Sequence, residues 1–376
     1  MKLLFVLEHY YPHRGGGETL FKLLTEKLAS EGHECHVITC RLKGTKKYEK
    51  LNGVYIHRVK VPYWKDRYWF TFFAIPEVYK LAKKCDLIHT MTYNGALPTW
   101  LVSKILKKPS VITVYEILGP LWTKHMNKLV GEIHRMFEKI IVSLNFDKFI
   151  AISKYTKNSL IKIGVPSNKI KIIYCGVNYD LFNPRKASGK RIIEKYRLRK
   201  AFTYLFFGRP GLTKGLEYLI RAVPEITRLI PNSKLLLLLT SLKEGRSKYI
   251  RNLVNKMKIE NNIIFLKQVP REELPDYLMA ADCVVIPSIS EGFSFTAAEA
   301  CAMGRPVVAS RAGALTEVVS GKYIFISPGD PNEITKAILM IKEGKYKKIK
   351  LKKFTLNDFY KGYKLLYKNI LKKSMS

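Results

Sequence analysis

Twice in this chain an apolar strand runs into a glycine-bearing loop and then into an amphipathic helix. Residues 2–8 read as a strand, and residues 9–17 as a loop ending in Gly15, Gly16 and Gly17. Glu18 opens a helix whose apolar Leu20, Phe21, Leu24 and Leu28 recur at helical spacing. Gly32 stops that helix, and residues 33–40 form a second strand. The pattern restarts at residues 202–207, passes through Gly208 to Gly215, and enters a helix carrying Leu216, Leu219, Ile220 and Val223. Strand, loop, helix, strand is the opening of a Rossmann-type half, in which ligands bind at the carboxyl ends of the strands. The glycines do not form GxGxxG, so a dinucleotide site is not indicated. At 376 residues, 47% of them hydrophobic, the chain is long enough for two such halves and apolar enough to fill both cores.

The net charge is +36, which calls for an anionic partner: nucleic acid, an acidic membrane face or phosphorylated small molecules. Residues 340–376 alone hold 12 Lys against 2 acids. The basic residues are otherwise spread throughout, and no helix-turn-helix, RRM or zinc pattern accompanies them. Cys35, Cys40, Cys85, Cys175, Cys283 and Cys301 are scattered without a CxxC pair, which predicts small buried core residues and no zinc site. Glu8 and His9 interrupt the apolar opening before it reaches signal-peptide length, and no run is long enough to cross a bilayer. The expected location is the cytoplasm.

The richest stretch is Glu291-Gly292-Phe293-Ser294-Phe295-Thr296-Ala297-Ala298-Glu299. It follows Cys283-Val284-Val285-Ile286-Pro287, which reads as a buried strand. Ser294 is a good helix N-cap, so Glu291 sits just before the helix and Glu299 is expected roughly two turns inside it. Between the two carboxylates lie N–H groups of a helix N-terminus, where a phosphate is favoured. Two carboxylates flanking an anion site can hold hydroxyls on either side of a diphosphate, the shape of a sugar nucleotide. Upstream, Arg209 and Lys214 bracket a glycine loop at a strand end, and two cations aimed at one point can neutralise that diphosphate. Thr213 is the expected cap of the helix that follows.

These two stretches, with the Gly-x-Pro-Val-Val run at Gly304–Val308 and Gly313-Ala314-Leu315-Thr316-Glu317, resemble the retaining glycosyltransferases of family 4, which have the GT-B fold. The resemblance covers nearly the whole chain and is most specific in the second half. It implies an α/β protein of two Rossmann-like domains facing each other across a cleft. Residues 1–182 would bind the acceptor, residues 183–354 the nucleotide sugar, and a helix within 355–376 would return to the first domain. By resemblance, Glu299 binds the ribose hydroxyls and Glu291 hydroxyls of the donor sugar. Gly292, Phe293, Ser294, Phe295 and Thr296 surround the distal phosphate, with Gly208, Arg209 and Lys214 on the diphosphate and Gly16 and Gly17 beside it. Catalysis would rest on Arg209, Lys214 and Glu291. No cofactor or metal is expected, because no DxD motif stands by a strand end and two cations are already in place.

Three features depart from the family pattern or stay open. Family members commonly have a histidine after the strand at residues 110–114, where this chain has Tyr115. Tyr115 can donate a hydrogen bond but is no acid or base near neutral pH. His89 and His134 are alternative candidates for such a contact, each also readable as structural or exposed. Thr240-Ser241-Leu242-Lys243-Glu244-Gly245 stands where many relatives have Gly-x-Gly. In residues 62–73, Tyr63, Trp64, Tyr68, Trp69, Phe70, Phe72 and Phe73 interleave with Lys65 and Arg67. That segment reads as core packing, as a stacking surface for nucleic acid, or as an interfacial membrane patch.

The reading that joins these observations is a nucleotide-sugar-dependent, retaining hexosyltransferase. Its acceptor is a membrane lipid, a lipid-linked glycan or another saccharide, and it is peripheral on the inner face of an anionic membrane. A lapsed homologue serving as a partner subunit is the alternative that Tyr115 raises, and a basic nucleic-acid-binding protein is the alternative that charge raises.

Overall fold

The computed structural model describes residues 1–13, 15–239, 245–266 and 269–375. The expectation for residues 240–244, and the approach to the next helix through Gln268, lie outside the described residues. The chain divides into two compact units, residues 1–176 with 356–376, and residues 177–355. The boundary therefore falls at 176/177 and not at the 182/183 read from the sequence. Val177 explains the difference. Its N–H donates to the Phe354 carbonyl at 2.8 Å, and it forms a parallel bridge with Thr355, which ties it to the second unit.

In the first unit the strands are β1 (Lys2–Val6), β2 (Glu34–Cys40), β3 (Tyr48–Leu51), β4 (Val54–Val59), β5 (Leu87–Met91), β6 (Ser110–Val114), β7 (Lys148–Ala151) and β8 (Ile170–Ile172). They form one sheet in the order β3-β4-β2-β1-β5-β6-β7-β8, parallel throughout except where β3 pairs antiparallel with β4. That hairpin is not anticipated in the sequence reading. Its signal is Asn52-Gly53, both at positive φ (48° and 84°), the residue pair that a tight hairpin turn prefers. The helices are α1 (Gly16–Ser30), α2 (Asp66–Phe73), α3 (Ile75–Ala82), α4 (Ala96–Leu106), α5 (Leu121–His125), α6 (Lys128–Ser143) and α7 (Lys154–Lys162). Strands β5 and β6 are buried along their whole length, as expected where helices cover both faces of a parallel sheet.

The second unit begins with α8 (Lys190–Lys195). Its strands are β9 (Phe202–Gly208), β10 (Ser233–Leu239), β11 (Ile263–Leu266), β12 (Cys283–Ile286), β13 (Val307–Ser310), β14 (Lys322–Ile326) and β15 (Lys347–Lys348). The sheet order is β11-β10-β9-β12-β13-β14-β15, with only β15 antiparallel to its neighbour. The strand order reverses between β9 and β12, the kind of switch point at which open α/β sheets bind ligands. Helices α9 (Leu216–Leu229), α10 (Gly245–Lys256), α11 (Leu274–Ala280), α12 (Phe295–Ala302), α13 (Leu315–Val318) and α14 (Pro331–Lys342) complete it. One core joins the apolar face of α9, through Leu219, Ile220 and Val223, to Leu235 and Leu237 of β10 and to Ile334 and Ile338 of α14.

The last helix, α15 (Leu356–Met375), belongs to the first unit. It buries Phe359, Tyr363, Leu366, Tyr367 and Ile370, whose spacing puts them on one helical face. The Tyr363 hydroxyl meets Thr113 Oγ1 at 3.0 Å and the Tyr367 hydroxyl meets His89 Nδ1 at 2.6 Å, so the buried phenols are satisfied. All six cysteines are buried and free, as expected. Among the described residues no helix is long and apolar enough to cross a membrane.

Candidate active site

In the second unit, the loops leaving β9 and β12 are locked together by backbone contacts. Gly208 closes β9 at φ +131°, and Gly215 directly precedes α9 at φ +63°. A Cβ on Gly215 would come within 2.0 Å of the Pro287 carbonyl oxygen, so only glycine lets the loops approach this closely. The Ile289 N–H donates to the Thr213 carbonyl at 2.7 Å. Thr213 thus serves the neighbouring loop with its backbone, and the residue at the helix N-cap is Gly215, not Thr213.

This packing brings Lys214 to Glu291. Lys214 Nζ lies 2.7 Å from Glu291 Oε1, and Ser288 Oγ donates to the same oxygen at 2.9 Å. Glu291 is 5% exposed, so its charge is held by these two donors in place of water. Its backbone is fixed from the other side. The Ala314 N–H donates to the Glu291 carbonyl at 2.8 Å, and a Cβ on Gly313 would lie 2.2 Å from that oxygen. Arg209 is exposed and pairs with no described carboxylate.

Ser294 is the N-cap of α12 as read from the sequence, and its Oγ accepts from the Ala297 N–H at 3.4 Å. Its φ of +75° is unusual for a side chain-bearing residue and turns the chain sharply between Phe293 and Phe295. Phe295 and Thr296 open the helix, where N–H groups have no intrahelical acceptor. Gly208 is close by, since a Cβ there would lie 3.7 Å from Thr296 Cγ2. Glu299 is the fifth residue of α12, little more than one turn in and not two. It is 2% exposed, and burial pushes its carboxyl up from the usual range while Arg271 opposes that shift. Arg271 pairs with Glu299 Oε1, and its guanidinium sits 5.2 Å from the Phe182 ring. Neither Arg271 nor Ser288 was singled out in the sequence, where nothing in their spacing links them to the two glutamates.

In the first unit, Gly15 caps α1, while Gly16 and Gly17 form its first turn. A Cβ on Gly17 would meet the Tyr115 ring at 3.0 Å, so this glycine leaves room for Tyr115. Burial pushes the Tyr115 hydroxyl far above its usual pKa, which keeps it neutral. His89 is fully buried, with Nδ1 on Tyr367 and Nε2 on Thr113 Oγ1 at 2.9 Å, and burial pushes it down to about 3. Both ring nitrogens are thus engaged inside the unit, and His89 packs the interior instead of facing a ligand. His134 is tied to the Val130 carbonyl and to the Tyr68 hydroxyl.

Two buried carboxylates here were missed. Glu8, two residues beyond β1, holds Arg67 and Asn94. Glu138 accepts from the Tyr93 hydroxyl at 2.7 Å, from the N–H groups of Leu118 (3.0 Å) and Gly119 (2.7 Å), and from Trp122 Nε1 at 3.2 Å, so it pins the loop after β6. Among the described residues, His9, Cys40 and Asp66 form the one group of metal-ligand type, their donor atoms within 4.8 Å of one another. His9 Nε2 and Asp66 Oδ2 are 4.0 Å apart, wider than ligands close around one zinc.

Residues 14–181 match Glycosyltransferase Family 4, and residues 201–343 match Glycosyl transferases group 1. An uncharacterized glycosyltransferase of Methanocaldococcus jannaschii is 30% identical over 357 residues, 89% of this chain and 87% of the relative. A GDP-mannose-dependent alpha-(1-6)-phosphatidylinositol monomannoside mannosyltransferase of Mycolicibacterium smegmatis is 24% identical over 356 residues, 89% of this chain and 88% of the relative. Among solved structures, sucrose-phosphate synthase from Thermosynechococcus elongatus aligns with a TM-score of 0.76 at 22% identity, covering 100% of this chain and 97% of that one. HepE of Anabaena, in complex with UDP-glucose, aligns with a TM-score of 0.73 at 19% identity, covering 99% of this chain and 98% of that one. Two Rossmann-like units of this build are those of the GT-B glycosyltransferases. The chain belongs to glycosyltransferase family 4, the group 1 glycosyl transferases.

Proposed function

We propose that this protein transfers a hexose from a nucleotide-diphosphate sugar to a membrane lipid, a lipid-linked glycan or another saccharide acceptor, with retention of anomeric configuration. The observation that carries this reading is the Lys214–Glu291 pair, 2.7 Å apart, with Lys214 on the loop that also carries the exposed Arg209 and whose Gly208 lies against Thr296 in the first turn of α12. A diphosphate in that place meets two cations and the first N–H groups of a helix. Glu299 keeps Oε2 free of described partners and can accept the ribose hydroxyls, while Glu291 accepts hydroxyls of the donor sugar. As the glycosidic bond breaks, charge builds on the leaving diphosphate, and Arg209 and Lys214 stabilise it where it forms. No side chain among these is placed as a general base, so the leaving phosphate oxygen takes the acceptor proton on the face it departs from. With two cations available for the diphosphate a divalent metal is unnecessary, and activity is expected to survive EDTA.

The relatives' names support a nucleotide hexose, since one uses GDP-mannose and another holds UDP-glucose. The phosphatidylinositol-linked acceptor of the first supports a lipid. A membrane setting is also supported by residues 62–73. Six of their seven aromatics are exposed and only Phe70 is buried, which leaves the core-packing reading with one residue.

The test is a thermal-shift panel of UDP, GDP, ADP and their hexose conjugates without metal, followed by transfer assays with the stabilising donor and NMR of the product anomer. Stabilisation by one base and an α product from an α donor are expected. Absence of any nucleotide shift, or an inverted product, would overturn the proposal.

A further inference from the structure

Helix α6 has apolar residues where a solvent-facing helix should be polar. Leu129, Ile133, Met136 and Ile140 follow one another by four, three and four positions and so form a single stripe along it. Leu129 is 71% and Met136 61% exposed. The same helix turns Glu138, Ile141 and Val142 inward, so the stripe is additional to its packed side. It is also continuous with the aromatic segment of α2. The Tyr68 hydroxyl reaches His134 Nε2 at 3.2 Å, and the Trp122 ring lies 4.9 Å from the His134 ring. Beyond Tyr68 stand Tyr63 and Trp64, 80% and 70% exposed, with Phe72 and Phe73.

We infer that the shared outer face of α2 and α6 is a docking surface on which this protein lies in the interface of an anionic lipid bilayer. The inference extends the proposed lipid acceptor by naming the surface that meets the lipid, and α6 is its larger part. Charge selects the occupant. Residues 60–73 and 120–143 together hold seven Lys or Arg against three acids, and one of those acids, Glu138, is buried. Cations flanking an apolar stripe match lipid phosphates flanking hydrocarbon. A nucleic acid would use the cations and leave four aliphatic side chains in water. A second copy would bring the same cations against themselves. A groove of about 780 Å³ opens beside the stripe, with Pro120, Leu129, Ile133, Met136 and Ile163 as its apolar lining and Arg135, Lys139 and Lys162 together with Glu132 and Glu138 also in its walls. It gives one hydrocarbon chain of the bilayer a place to enter.

The experiment is flotation of the full chain with vesicles of phosphatidylcholine alone and of phosphatidylcholine with phosphatidylglycerol, alongside light scattering for mass and a nucleotide thermal shift. Wild type is expected to float with the anionic vesicles and to lose that binding at high salt. The exposed substitutions Ile133→Glu with Met136→Glu are expected to cut flotation at least tenfold with an unchanged melting point and nucleotide shift. Lys128→Glu with Lys139→Glu should weaken binding to anionic vesicles only. Absence of wild-type flotation, or equal flotation of the Ile133/Met136 variant, overturns the inference. So does a wild-type dimer that the same variant makes monomeric without any vesicle binding. Flotation without a nucleotide shift supports the docking surface and sinks the transferase reading instead, so the two are separable.

Discussion

Lys214 Nζ sits 2.7 Å from Oε1 of Glu291, a residue 77 positions further along the chain. The pair joins the loop after β9 to the loop after β12 at the switch point of the second sheet. Lys214 is one-third exposed while Glu291 is buried, so the lysine can turn toward an arriving diphosphate more readily than the carboxylate can move.

Lys214→Ala is therefore expected to lower kcat roughly 100- to 1,000-fold, in the range seen when one stabilising donor is removed. Glu291→Gln keeps the shape and the Ser288 contact, so the nucleotide diphosphate alone should bind almost unchanged while turnover falls. Steady-state kinetics together with nucleotide calorimetry separate the two effects.

Arg271 and Glu299 should part differently. Glu299→Ala is expected to weaken nucleotide binding without a matching loss of kcat at saturation. Arg271→Ala removes the cation that opposes the upward shift of Glu299. The carboxyl then stays protonated to a higher pH, so nucleotide affinity should fade at a higher pH than in wild type as the solution is acidified. Because Arg271 is half exposed, the stability cost should be about 1–2 kcal/mol, less than for a fully buried pair. Calorimetric titrations between pH 5 and 8 check the affinity, and urea melts the stability.

Gly215→Ala places a methyl group 2.0 Å from the Pro287 carbonyl at a backbone φ of +63°. It should cost a few kcal/mol and separate Lys214 from Glu291. Gly211→Ala adds a methyl at an ordinary 3.6 Å from Lys214 Cγ and should change stability by less than about 1 kcal/mol. Thermal melts of both variants make the comparison.

His89 predicts a pH dependence in the first unit. Its folded pKa, pushed down to about 3, lies below the unfolded value near 6.5, so the unfolded chain binds the extra proton between those values. Stability from this group is complete above about pH 6.5 and is lost as pH falls, by about 2 kcal/mol at pH 5. His89→Gln should flatten the fall in melting temperature between pH 7.5 and 5 relative to wild type. An equally steep fall in the variant would assign the dependence elsewhere.

The parallel sheets, the N-cap at Ser294 and the apolar face of α15 were legible in the sequence, because each rests on the periodicity and chemistry of neighbouring residues. The Tyr48–Leu51 strand was not read from the sequence, because its short polar run carries no alternation, although Asn52-Gly53 signals the turn that follows it. Thr213 looked like a cap because of its type, yet Gly215 displaced it, since only glycine fits against Pro287. Residues 62–73 held three readings open, because composition cannot tell a packed aromatic from an exposed one.

The sequence by itself determined the alternation of the long strands and helices, the switch-point loops and the residue types that gather there, since local spacing fixes which residues end a strand or start a helix. Only the tertiary structure decided the partners. Lys214 meets Glu291 and Arg271 meets Glu299 because parallel strands from distant parts of the chain end side by side. It likewise decided that His89 faces inward toward Tyr367 while Ile133 and Met136 face water, because burial depends on what the rest of the chain brings to each side of an element.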